Sequence, residues 1–340
     1  MKTRFALLLL LPLPALLTVP PARARAATVV ADCTAAPVAA ANKMTRIDLP
    51  GEDVVVRCPL AELPRTAGIA VVARSIVVDG TAGGAIHAEG KGMAVSLEAA
   101  ETILLDATSI AAANRNGDVR LRAGAGVTAT ATTALAAGEL LQIECTDAGC
   151  PIELTAVGAA ANRLFVLAKG TVGIHPRSTL MTHGPTDLIR IVSAAGDVLA
   201  GGGLPLVLPD GAVPDVLVGF ERAVMLQAAA YCACSRQPPN TIVTSLEGSL
   251  QIEAPAGGID LAAADVRVGE TIDLTAAATV DLTSSSVQNC GPKRGRFRVA
   301  GTSCVVAEAT LLDDAPDTAP ELSCLMEGAP TIMGTCSDRH

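Results

Sequence analysis

Tryptophan is absent from these 340 residues, tyrosine occurs once and phenylalanine four times, although half of the chain is hydrophobic. A thick globular core draws much of its volume from aromatic rings. A broad two-layer domain is therefore disfavoured, and a narrow interior filled by Ala, Val, Leu and Ile is expected. Helical periodicity is missing too. Beyond the first segment no apolar spacing of about 3.6 residues persists, which argues against α-helical repeats. Basic residues are outnumbered, 25 against 34 acidic, for a net charge of −9. Such a surface argues against nucleic acid, whose phosphates need a basic face, and against anionic lipid heads. No G-x-S-x-G elbow, HExxH zinc motif, Walker loop or dinucleotide fingerprint occurs. Gly80, Gly83 and Gly84 have no helical segment after them and do not read as a phosphate loop.

What is present begins with a leader. Lys2 and Arg4 precede an apolar run from Phe5 to Val19, and Ala24-Arg25-Ala26 places small residues at the −3 and −1 positions of a cut before Ala27. That is the logic of a secretory signal peptide over residues 1–26. Pro12 and Pro14 interrupt the run, and it is short for a membrane span. No integral membrane segment is expected after cleavage. All ten cysteines lie beyond the leader. An even number behind an export signal reads as disulfides in an oxidising compartment. The expected pairs are Cys33–Cys58 and Cys324–Cys336 at the two ends, with Cys145 and Cys150 closing a corner loop. Cys232, Cys234, Cys290 and Cys304 are not assigned.

The middle of the chain repeats. VSLEA at Val95, VRLRA at Val119, LQIEC at Leu141, LFVLA at Leu164 and IRIVS at Ile189 follow one another at steps of 22 to 25 residues. VMLQA at Val224, LQIEA at Leu250, IDLTA at Ile272 and FRVAG at Phe297 continue the series. Each alternates apolar and polar residues, the period of a strand. A second strand follows, as in ILLDA at Ile103, VTATA at Val127 and IELTA at Ile152, and then a weaker third pulse such as SIAAA at Ser109. Gly, Asn and Asp punctuate the corners, as tight turns require. Three short strands per repeat make one coil of a single-stranded parallel β-helix (β-solenoid), an all-β fold of about nine coils. The expected layout is an N-terminal cap over 27–68, the solenoid over 69–312 with an irregular loop at 199–220, and a disulfide-tied tail over 313–340.

This repeat resembles the right-handed parallel β-helix superfamily, which includes filamentous haemagglutinin-type adhesins and polysaccharide lyases. The resemblance covers residues 69–312 and specifies a fold, not a member. Enzymes of that fold carry acids and bases on the outer side of one sheet, so the outward residues of the first strands are the place to look. Glu98, Arg120, Arg122 and Glu144 cluster there, as general acid–base chemistry would need. The simpler reading, a solvated ladder of alternating charge, is preferred, because fold likeness alone does not license an activity. Asp260, Asp273 and Asp281 form a second acidic group, short of the converging oxygens that calcium needs. His87, His175, His183 and His340 lack zinc spacing, and Cys232-Ala-Cys234 suits a disulfide better than a metal. Neither a metal nor a cofactor is expected. Phe165 and Leu167 make an apolar break on the first strands, expected beneath the 199–220 loop.

The leading expectation is a secreted, periplasmic or surface-associated structural or adhesive β-helix without catalytic activity. Its partner would be a polysaccharide or a cell-surface protein. The alternatives are a polysaccharide lyase or hydrolase using the Glu98/Arg120/Arg122/Glu144 face, and a passive glycan- or protein-binding module.

Overall fold

The structure is a computed structural model that describes residues 27–90, 94–112, 114–130, 132–175, 178–182, 187–200, 242–244, 247–289, 296–313 and 320–333. It is an all-β parallel solenoid of about ten turns. At strand spacings of roughly 4.8 Å that is a rod roughly 45 Å long. Each turn contributes three strands to three faces. The first face stacks Ala94–Ala99, Asp118–Ala123, Leu140–Cys145, Arg163–Ala168, Leu188–Ser193 and Ser249–Ala254 in parallel register. The second runs from Thr102–Asp106 to Thr279–Asp281. The third runs from Ser109–Ala112 to Ser286–Asn289.

Alternation turns one side of every first-face strand inward. Leu97, Leu121, Ile143, Val166, Ile191 and Ile252 fall in one register column, and all are buried. Side chains of one type thus meet their like on the coil above and below, and cohesion becomes a sum over neighbouring coils. The first two faces keep partly or fully exposed outward residues. On the third face the outward side is closed as well: Ala134, Ala136 and Ala160 are 0% exposed and Met181 only 4%. Solvent-facing chemistry on the middle coils is therefore confined to the first and second faces.

The stack reaches further toward both ends than the sequence repeat indicated. Met44–Val56, within the expected cap, pairs in parallel with Gly68–Asp79. Glu321–Glu327, within the expected tail, pairs in parallel with Phe297–Val305. Both pairings contain a register shift, between Leu49 and Asp53 and between Ala300 and Ser303. A bulge breaks the strict alternation that sequence reading relies on while leaving the ladder intact. Between the Ile189 and Leu250 segments the pairing is direct, Leu188–Ser193 against Ser249–Ala254, and the Val224 segment falls in the stretch between them. That segment, like the leader and most of the 199–220 loop, lies outside the described residues.

One disulfide expectation is corrected. Cys324 is bonded to Cys304, not to Cys336, with Cα atoms 5.7 Å apart. The two lie on neighbouring parallel strands, so the bond ties one coil to the next instead of closing a tail loop; Cys336 is outside the described residues. Cys33–Cys58 and Cys145–Cys150 are formed as expected, at Cα distances of 5.8 and 5.6 Å.

The corner between the second and third faces departs from ordinary turn chemistry. Ala107, Thr132, Ala156, Ala263, Ser284 and Glu308 occupy it with φ between 48° and 65°. This left-handed region costs an L-residue roughly 1–2 kcal/mol. Two interactions hold the corner without glycine. The strained residue's own N–H reaches the next coil, as Ala263 N to Thr283 O and Ser284 N to Ala307 O, at 2.8 and 2.9 Å. The residue after it frequently buries a hydroxyl: Thr108 donates to Gly84 O at 2.7 Å, Thr133 to Thr130 O at 2.6 Å and Ser285 to Leu282 O at 2.6 Å. Thr133 is completely buried. Thr133→Val keeps its shape but strips its donor, and is expected to cost about 1–3 kcal/mol. A denaturation midpoint within error of the parent would show that the hydroxyl is not needed.

Candidate functional site

Register places the sequence-derived candidates in one line. Arg122 stands directly between Glu98 on the preceding coil and Glu144 on the following one. Its Nη1 is 3.9 Å from Glu98 Oε1 and its Nε is 3.9 Å from Glu144 Oε2. These are ion pairs beyond direct hydrogen-bond distance. Arg122 and Glu98 are more than half exposed, at 58% and 56%, where such pairs contribute about 0–1 kcal/mol each. Arg120 does not join them. Its Nη2 binds Asp118 Oδ2 on its own strand at 2.9 Å.

Beside this line is a concavity of about 290 Å³ at the corner between the first and second faces. Glu98, Arg122 and Asp147 line it, together with Pro50, Val72 and alanines of three coils. Local sequence builds each part. The bulge between Leu49 and Asp53 carries Pro50 to the rim. Gly124 lets the chain turn there, since a Cβ on it would lie 2.1 Å from Ala100 O. The Cys145–Cys150 bond closes the loop bearing Asp147, whose N–H also donates to Gly124 O at 3.1 Å. The groove thus offers two carboxylates and one guanidinium over an aliphatic floor. Asp147 and Pro50 were not among the sequence candidates, because they stand in a corner loop and a bulge that the strand repeat does not cover.

A second acid–base pair was also missed. His175 Nε2 and Glu153 Oε2 meet at 2.5 Å on the second face. Glu153 stands across from Gly173 in register, and a Cβ there would sit 2.1 Å from Glu153 Oε2. The missing side chain of Gly173 is what allows the pair to close over the strand. Aligning IELTA against VGIHP would have put the three residues together.

The other candidates disperse. Asp273 is on the first face against Arg298 at 3.9 Å. Asp260 and Asp281 are register neighbours on the second face. Each caps its own turn, accepting from Ala262 N and Thr283 N at 2.9 Å. Among the described residues no group of three His, Cys, Asp or Glu side chains is placed to hold a metal ion. Phe165 and Leu167 do point outward, half-buried, against Arg190 and Val192 of the next coil. His183, His340, Cys232, Cys234 and Cys290 are outside the described residues.

His87 is half-buried, its Nε2 2.9 Å from Ser109 Oγ. Burial pushes its pKa below the usual 6.5, with Glu89 opposing. A folded state that binds its proton less readily than the unfolded chain keeps full stability above the unfolded value. It loses stability as pH falls below that value toward the depressed folded one. His87→Gln is expected to flatten this loss in denaturation midpoints taken from about pH 7 to about pH 5. An equally steep limb in the variant would assign the loss to other groups.

Compared with known proteins, the chain matches no family model, no curated protein and no solved structure. Among the described residues no helix is long and apolar enough to cross a membrane.

Proposed function

We propose that the chain is exported by its 1–26 leader and serves outside the cytoplasm as a structural or adhesive β-solenoid. The leader and the three disulfides among the described residues support the compartment. The observation that carries the role is how the first face uses its charges. Arg122 is shared by Glu98 and Glu144, Arg120 binds Asp118, Arg163 binds Glu139 at 2.8 Å and Arg190 binds Glu253 at 3.3 Å. Acid–base catalysis needs groups converging on a substrate atom within hydrogen-bond reach. Charges that pair with one another, from coil to coil at Arg122, Arg163 and Arg190 and along the strand at Arg120, support register and a solvated contact surface instead.

The competing reading is a polysaccharide lyase or hydrolase working in the groove at Glu98, Arg122 and Asp147. The two separate in one assay. The protein is incubated with pectin, alginate and glycosaminoglycans, and unsaturated uronate ends and new reducing ends are measured. No turnover is expected, and Arg122→Ala is expected to lower stability by less than about 1 kcal/mol. Turnover that disappears in Arg122→Ala would replace the structural reading with the enzymatic one.

A further inference from the structure

The outward side of the third face is shut off from water, yet the substantial contacts of its strands are only with their own coil and the adjacent ones. One register column runs along it from Ala61 through His87, Ala111, Ala136, Ala160 and Met181 to Val243, Arg267 and Gln288. Ala111, Ala136 and Ala160 are all buried. Alanines flanked by alanines cannot shade one another, so their burial requires atoms lying above the sheet. Further along, Arg267 is 2% exposed and Gln288 4%, on the same outward side. Arg267 Nη2 lies 3.0 Å from Asp265 Oδ2, and burial pushes the Asp265 carboxyl up, against the opposing guanidinium. Gln288 Oε1 is buried without a hydrogen-bond partner among the described residues, although buried polar atoms normally have one. Small, apolar and polar positions alike are occluded over several coils.

We propose that this side of the third face is the docking surface for residues 201–241 of the same chain. The points where that segment departs and returns argue for it. It departs after Ala200, just past the second-face strand Val198–Leu199, and returns at Ile242–Val243 on the third face. Val243 stands between Met181 and Arg267 in the column, so the segment meets the face within the occluded stretch. Another coil crosses the same corner in two residues, between Leu154 and Val157. The composition of the segment fits the surface. Leu204, Leu206, Leu208, Leu217, Phe220 and Leu226 need burial, and the only charges are Asp210, Asp215, Glu221, Arg222 and Arg236. A trough of alanines offers such side chains an apolar seat with nothing standing in the way. The leader is the other long stretch outside the described residues, but it joins the stack at Thr28–Val30 on the terminal coil. Toward that end the occlusion fades, with His87 half-buried and Ala61 exposed.

Two probes on the disulfide-intact protein cut before Ala27 test the proposal. Peroxide oxidation of Met181, followed by mass spectrometry, reads the face; tryptic cleavage after Arg222 and Arg236 reads the segment. In the parent, Met181 is expected to oxidise at least tenfold more slowly than Met326, which is 47% exposed, and both tryptic sites are expected to resist cleavage. Ala136→Arg, which fills the trough, is expected to speed oxidation and cleavage together, at least tenfold each, with an unchanged circular dichroism spectrum. Val224→Lys with Leu226→Lys alters no described strand, is expected to release both in the same way, and decides the matter should Ala136→Arg fail to fold. Rapid cleavage of the parent at Arg222 and Arg236 would overturn the assignment. So would faster Met181 oxidation without a change at those two sites, which would give the face to another occupant, or no change with the paired lysines. None of these results bears on turnover, so the proposed function stands or falls separately.

Discussion

Leu121→Ala is expected to lower stability by about 3 kcal/mol, within the roughly 2–5 kcal/mol range for buried leucines. Leu121 is 1% exposed and sits in the inward column between Leu97 and Ile143. No aromatic ring is near enough in sequence register to lean into the void; the inward neighbours are all aliphatic. The cavity should therefore persist, which places the cost above the bare transfer of the lost methyls. Its distribution along the rod is the more telling part. Each coil touches only its neighbours, so stability is a chain of interface terms, and weakening one mid-stack interface can separate the two halves. Unfolding followed by circular dichroism is expected to shift to lower denaturant and to broaden or split in the variant. A tryptophan signal does not exist in this chain. A single transition of unchanged slope and midpoint would mean that the column is not what holds the coils together.

The readable part of this fold was the part that repeats. Val95, Val119, Leu141, Leu164 and Ile189 announced the first face because inward and outward residues alternate without interruption, and the structure pairs them in the order read. Val224 carries the same signal but lies outside the described residues, and among these Ile189 pairs with Leu250. The terminal coils were hidden by single bulges at Leu49–Asp53 and Ala300–Ser303. The left-handed corner was illegible for another reason. Its residues are Ala, Thr, Ser and Glu, and nothing local requires positive φ of them. The requirement comes from bonds to the next coil, which composition does not record. The site divides in the same way. Glu98, Arg122 and Glu144 were legible because register puts them in line, whereas Asp147 and Pro50 depend on a loop closure and a bulge.

Removing the Cys33–Cys58 bond, as Cys33→Ser with Cys58→Ser, is expected to cost about 3–4 kcal/mol. The estimate follows from releasing a loop of that length in the unfolded chain; the sequence separation is 25. Removing Cys145–Cys150, separated by 5 residues, should cost less, because a short loop restricts the unfolded chain less. The difference should be visible in where the protein opens as well as in how much stability it loses. Cys33 and Val38 cover Val30 at the end of the apolar column, so their release should let the first coil fray while later coils stay paired. Limited proteolysis is then expected to cut first within residues 31–43 in the Cys33/Cys58 variant, and hydrogen exchange to rise in Met44–Val56 before it rises in Leu140–Cys145. If both variants lost equal stability, or if exchange rose evenly along the rod, the loop would not be acting as an end cap.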